Sequence, residues 1–211
     1  MPILEWPVDP AKHPITHGFW LDETNNPSYR NFYTVFDGHH PGVDFSLPEG
    51  TPLRAAIPGV VVRKEFHPGM GNTLAIRNGN IYVLYAHLTS FCVDLGQKIR
   101  AKQLVAYSGN TGTATTTPHL HFELRDLTKS TLKDSVFEPI FGQKPKNYVP
   151  EFNYLINNTN TEKTFESLAL RYFGLASYAS AIRHHNPSLQ KFDLNTTLPQ
   201  GASIIIPNYQ K

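Results

Sequence analysis

A mainly β domain followed by a small α+β module is the fold class this sequence predicts. Three observations predict it. Apolar runs of four to eight residues recur at short spacing between Leu53 and Leu124, each bounded by Pro, Gly or Asn. Seventeen prolines and 14 glycines in 211 residues suit a turn-rich chain. Helical periodicity appears only after residue 160, and a short apolar run flanks it on either side. A hydrophobic content of 40% is enough for one good core, or one core plus a small module.

Taken in order, residues 7–37 read as loop, with Phe19, Trp20, Tyr29, Phe32, Tyr33 and Phe36 pinning the segment by aromatic burial. Strands are expected at 53–56, 59–66, 72–78 and 81–87, separated by Pro58-Gly59, Pro68-Gly69 and Asn78-Gly79-Asn80. Asn-Gly between apolar runs is a hairpin signal. In the fourth strand a period of two puts Val83, Tyr85 and His87 on one face. Residues 96–106 read as another short hairpin. Ser108 to Gly112 turns through a Thr-rich loop into the strand from His119 to Leu124. After Asp126 the pattern weakens, and Pro139, Pro145 and Pro150 mark a linker-like stretch, 141–151.

The second module, 152–211, is expected to run strand, helix, helix, strand. Phe152 to Ile156 is the first strand. Thr164 can cap a helix whose apolar stripe is Phe165, Leu168, Ala169 and Tyr172, ended by Gly174. A second helix from about Tyr178 stops at Asn186-Pro187. Leu198-Pro199-Gln200-Gly201 turns into a last strand, Ser203 to Pro207.

A formal net charge of +2 points to neither nucleic acid nor a membrane surface. One cysteine, Cys92, excludes an internal disulfide. The first seven residues have neither the basic nor the apolar region of a signal peptide, and no apolar run is long enough to span a bilayer. Synthesis in the cytoplasm without a visible leader is the expectation, or else a leader trimmed away.

Chemistry concentrates in Pro118-His119-Leu120-His121-Phe122-Glu123-Leu124-Arg125. Alternation sends His119, His121 and Glu123 to one face and Leu120, Phe122 and Leu124 to a core. Upstream, His40 and Asp44 stand four apart around Pro41-Gly42, a turn that lets both side chains face one point. His39 is a rival to His40; His40 is preferred because Gly42 then lies between the two ligands. His40, Asp44 and His121 make three metal ligands, with His87 and His119 nearby and unligated. Structural zinc sites use four protein ligands, and catalytic ones keep a position open. The reaction class is metal-assisted amide hydrolysis, in which histidines carry protons or stabilise the oxyanion. The other histidines, including His13, His17, His67, His184 and His185, carry no partner pattern and read as surface or packing residues.

Four ordered motifs resemble the LytM/lysostaphin-type zinc endopeptidases. They are His40-Pro41-Gly42-Val43-Asp44, Tyr85-Ala86-His87-Leu88, Gly109-Asn110-Thr111-Gly112 and Pro118-His119-Leu120-His121-Phe122-Glu123. The likeness covers residues 38–126 and is weaker at Trp6-Pro7 and Ile15-Thr16-His17-Gly18-Phe19. It implies an antiparallel β-sheet with a groove across residues 1–140, zinc on His40, Asp44 and His121, and catalytic His87 and His119. The implied substrate is the peptide of bacterial peptidoglycan. Thr117 stands where these proteins usually have glycine before the Pro-His-Leu-His run, and Arg100-Ala101 replaces a usual basic-Gly turn. Some relatives have lost ligands and only activate other wall hydrolases; all five positions are kept here.

The C-terminal module resembles a LysM domain or the LysM-like phage tail protein X. The resemblance rests on the helix from Thr164 to Gly174, Asn186-Pro187, and Leu198 to Pro207, although Glu162-Lys163-Thr164 replaces the usual Gly-Asp-Thr opening. It implies glycan binding, or docking in a tail or secretion apparatus, and action at the cell wall or periplasm. The alternative expectation is a non-enzymatic wall-binding or assembly component that uses the peptidase fold as a scaffold.

Overall fold

A computed structural model describes residues 4–27, 31–142, 152–173 and 176–206. Tyr29, the Pro145 to Pro150 stretch, the helix-ending Gly174 and Pro207 lie outside them. The chain forms two compact units, Leu4–Pro139 and a second that begins at Ile140.

The first unit is built from β1 (Ile15–His17), β2 (Val43–Ser46), β3 (Pro52–Arg54), β4 (Gly59–His67), β5 (Gly71–Asn78), β6 (Ile81–Leu88), β7 (Ser90–Phe91), β8 (Lys98–Ile99), β9 (Leu104–Tyr107), β10 (His119–Asp126), the short helix α1 (Leu132–Ser135) and β11 (Val136–Phe137). Among the described residues the main sheet has eight strands in the order β1-β2-β10-β6-β5-β4-β8, with β11 also on β10, and every pairing is antiparallel. A second sheet runs β3-β9-β7.

Between the sheets lies the apolar face of β10, with Leu120 and Phe122 fully buried beside Phe45 and Tyr85. The Tyr85 and Phe122 rings meet edge to face at 5.1 Å. Burying a side chain of this size contributes about 1.5–3 kcal/mol. The Tyr85 hydroxyl accepts from the Ala56 N–H at 2.7 Å and donates to the Arg54 carbonyl at 3.2 Å, which ties the main sheet to the end of β3.

Three local expectations need correction. Residues 96–106 are not a hairpin: β8 pairs with β4, whereas β9 pairs with β3 and β7. Each half adds to a different sheet edge, and the local turn signal carried no information about those distant partners. Residues 7–37 are not all loop, because Ile15–His17 adds an edge strand to β2. Val83, Tyr85 and His87 do not share a face. Between the β5–β6 pairs Asn72↔Leu88 and Leu74↔Tyr85 the register shifts, leaving one extra residue in β6, and His87 there has φ of 60°. A bulge with a left-handed residue breaks the alternation of a strand. Tyr85 stays in the core and His87 turns to the other face.

In the second unit β12 (Phe152–Leu155) pairs antiparallel with β13 (Ser203–Ile206), and α2 (Phe165–Phe173) and α3 (Ala179–His184) lie between them in the chain. The strand-helix-helix-strand order is therefore the expected one. Thr164 Oγ1 accepts from the Ser167 N–H at 3.0 Å, a cap on the first turn of α2. Phe165, Leu168, Tyr178, Ile182 and Ile204 fill the core. Asn186, read from the sequence as a helix stop and as part of the LysM-like motif, is a buried clamp. Its amide donates to the carbonyls of Ile182 and Ile205 and accepts from the Ile205 N–H, joining α3 to β13.

Candidate metal centre

Strand pairing brings the site together. Asp44 on β2 lies directly opposite His121 on β10, so both side chains leave the same face of the sheet. On its other side His121 is opposite Ala86, whose small side chain leaves room on that face. His40 precedes β2 by a bend through Gly42. A Cβ at Gly42 would lie 2.4 Å from the Phe122 carbonyl oxygen, so only glycine lets the bend approach β10 this closely.

Three ligand atoms converge. His40 Nε2 is 3.0 Å from His121 Nδ1 and 3.2 Å from Asp44 Oδ1, and Asp44 Oδ1 is 2.8 Å from His121 Nδ1. Zinc–nitrogen bonds of about 2.0–2.1 Å in a tetrahedron put neighbouring ligand atoms about 3.3 Å apart. The three atoms already stand close to one face of such a tetrahedron, and the residues fit a zinc ion. His39 lies away from the cluster, with its Nδ1 on the Asp37 carbonyl and its ring stacked on Trp20.

Both candidate histidine ligands are held from behind. His40 Nδ1–H donates to the Gly18 carbonyl at 2.9 Å, which leaves Nε2 as a lone pair. His121 Nε2 is 3.0 Å from Glu123 Oε1 and donates to that carboxylate, which leaves Nδ1 for the metal. Glu123 is itself buried and takes Arg125 Nε at 2.6 Å on its other oxygen. Burial alone would push the Glu123 carboxyl up, but Arg125 and His121 hold it down at about 2. Burial works against a charged His121 ring too. Its hydrogen bonds and attraction to Asp44 and Glu123 win, raising it to about 9 in the metal-free chain. Asp44, despite its own burial, is held well below the usual carboxylate range by His40 and His121.

His87 and His119 sit beside the cluster without joining it. Their ring centroids are 4.6 Å apart, and His87 lies 6.2 Å from His121. His87 Nδ1–H donates to the Thr111 carbonyl at 2.8 Å, and His119 Nδ1–H to the Thr117 carbonyl at 2.8 Å. Both rings therefore present Nε2. In His119 it is 4.0 Å from Asp44 Oδ2. Burial and the neighbouring His121 depress His87 to about 4, and burial also depresses His119, so both are neutral proton acceptors at pH 7. His87 itself has φ of 60°, and left-handed backbone is costly for a residue other than glycine. The Thr111 loop that orients His87 packs so tightly that a Cβ on Gly71 would lie 2.2 Å from the Thr111 carbonyl oxygen.

The sequence did not point to the orienting groups, most of which are backbone carbonyls. Glu123 was on the correct face but carried no role. His17, set aside as a packing residue, has two partners: Nε2 is 2.6 Å from the buried Glu23 carboxylate, and its ring edge meets His40 at 4.8 Å. The site opens on a groove of about 280 Å³ lined by His87 and His121 together with Phe32, Val35, Leu132 and, from β4, Arg63 and His67.

The model of Peptidase family M23 matches residues 38–133, a stretch that contains all five candidate site residues. This stretch is similar to the peptidases of family M23. Individual proteins share the likeness. Peptidoglycan DD-endopeptidase ShyA of Vibrio cholerae is 34% identical over 144 residues, 67% of this chain and 33% of that protein. DD-carboxypeptidase/endopeptidase Mpg of Neisseria meningitidis is 41% identical over 87 residues, 41% of this chain and 20% of that protein. The chain thus spans a third or less of the length of these curated relatives. Among solved structures, the catalytic domain of lysostaphin from Staphylococcus simulans aligns with a TM-score of 0.50 and 26% identity over 60% of this chain and 88% of that one.

Proposed function

We propose that the chain is a zinc endopeptidase that hydrolyses peptide cross-links of bacterial peptidoglycan. The observation that carries this reading is the convergence of His40, Asp44 and His121 on one point, beside two oriented neutral histidines, at a groove of an M23-like domain. Zinc, when bound, supplies Lewis acidity to the attacking water and the scissile carbonyl. The chain's own residues do the rest. Gly18 and Glu123 fix the tautomers of His40 and His121, so each offers a lone pair. His119 accepts a proton at Nε2, where the nearby Asp44 supports the charge. His87 offers a second Nε2 for proton transfer on the leaving side. D-alanyl–diaminopimelate bonds are the proposed targets, in line with the similarity to ShyA, a peptidoglycan DD-endopeptidase. The scaffold alternative gains nothing from a site in which both histidine ligands are pre-oriented. Digestion of purified sacculi with product mass spectrometry tests the reading: new amine and carboxylate ends at the cross-link support it, and intact sacculi at every zinc level contradict it.

Zinc binding should depend on pH with a definite sign. His121 in the metal-free chain is raised to about 9, so at neutral pH a proton occupies the site the metal needs. Uptake of zinc then expels that proton, and apparent affinity should rise about tenfold per pH unit up to about pH 9, then flatten. Competition titrations between pH 6 and 10 measure this; a flat profile would show that no proton is displaced.

For the second unit we propose wall targeting, through glycan or through docking in a tail or secretion apparatus. Among the described residues no helix is long and apolar enough to cross a membrane. All five proposed site residues precede Asp126. Deleting residues 151–211 should therefore weaken binding to whole sacculi several-fold and leave cleavage of a small soluble cross-linked peptide within about twofold of the full chain. Loss of soluble-peptide cleavage in a folded truncation would show that the module completes the site.

A further inference from the structure

The structure assigns Arg63 to binding a carboxylate of the peptide held in the groove, an inference that rests on the peptidase reading. Arg63 and His67 sit two steps of alternation apart on β4, and both line the groove that contains His87 and His121. Arg63 Nε is buried and has no hydrogen-bond partner among the described residues. A buried donor left unsatisfied is costly and calls for an explanation, and here the explanation is a ligand that is drawn to the guanidinium. Among the described residues the only ion pair of Arg63 is that of Nη2 with Glu65 at 2.8 Å, and the Glu65 side chain is 56% exposed, so solvent screens it and a ligand can compete with it. The other guanidinium lining the groove, that of Arg125, is already engaged through Nε and NH2 by the buried Glu123. His67 Nδ1 accepts from the N–H groups of Gly69 and Met70, so Nε2 carries the hydrogen and is a second donor.

Another part of the lining is apolar: Phe32, Val35 and Leu132 are 40%, 58% and 44% exposed. A groove with apolar and cationic parts fits an alkyl chain that ends in a carboxylate. In a cross-linked stem peptide that description fits a diamino-acid residue with its carboxylate free. An amidated residue or a glycine bridge offers no such charge. A guanidinium recognises a carboxylate through paired charge-assisted hydrogen bonds, which an amide cannot replace.

The test uses the full-length, metal-free chain and calorimetric binding of two diaminopimelate-containing cross-linked stem peptides, identical except that the carboxylate beside the cross-link is free or amidated. Wild type should bind the acid about tenfold or more tighter than the amide. Arg63→Gln should bring the two within about twofold by weakening the acid alone, and Arg63→Lys should keep part of the preference. Equal affinities in wild type, a preference that survives Arg63→Gln, or an equal loss for both peptides would each overturn the assignment. Cleavage by the zinc-loaded wild type is scored separately. Absence of cleavage with the preference intact would sink the peptidase reading alone, and cleavage without the preference would sink this one alone.

Discussion

His121→Ala should lose zinc and cleavage together. The ring supplies one of the three converging atoms, and its Nδ1 is the atom nearest to both other ligands. Removing a group that only orients a metal ligand typically costs about 10–100-fold in affinity, so removing a ligand should cost more than about a hundredfold. The same substitution takes one partner from Asp44 and one from the buried Glu123. Leaving a buried polar group short of a partner costs about 1–3 kcal/mol, so the variant should melt lower while remaining folded. Glu123→Gln is the graded control. It keeps the ring and weakens only its support, so zinc affinity should fall within the 10–100-fold range. Zinc retained at full stoichiometry in folded His121→Ala would contradict the ligand assignment.

His87→Ala and His119→Ala should behave differently, keeping zinc and losing rate. Neither ring contributes an atom to the cluster, and both present Nε2 beside it. Loss of one proton-transfer or oxyanion group typically lowers turnover by about a hundred- to a thousandfold. The double variant should be far less than multiplicatively worse, because residues that act as a unit are not additive. Zinc analysis and turnover on one soluble cross-linked peptide measure both effects. A single variant that loses its zinc would mark that residue as a ligand. Two single variants with wild-type turnover would remove both from the chemistry.

The fold and the site were legible to different depths. Short apolar runs bounded by Pro, Gly and Asn located β4, β5, β6 and β10, because strand burial and turn chemistry are local. The pairing of β8 and β9 with separate sheets was not legible, since two-residue and four-residue strands take their partners from distant segments. His40, Asp44 and His121 could be nominated from alternation and a Pro-Gly bend, both of which are written in spacing. His87 was nominated only as a histidine near the ligands, and its catalytic role came from the resemblance. Simple alternation places it in the core with Tyr85, and only the left-handed bulge at its own position turns it outward. The carbonyls of Gly18, Thr111 and Thr117 could not be read at all, because every residue carries that group and only the folded backbone aims it. Asn186 makes the same point in the second unit: a helix-stop signal in sequence became a three-bond clamp once β13 lay beside it.

The central claim is that one zinc ion on His40, Asp44 and His121 enables hydrolysis of a peptidoglycan cross-link. The most direct measurement strips the protein of metal, adds zinc in fractions of an equivalent, and follows cleavage of a cross-linked muropeptide by mass spectrometry. Cleavage should be absent without metal and rise in proportion to zinc until one equivalent is bound. Cleavage by the metal-free protein, or an intact muropeptide at one full equivalent of bound zinc, would contradict it.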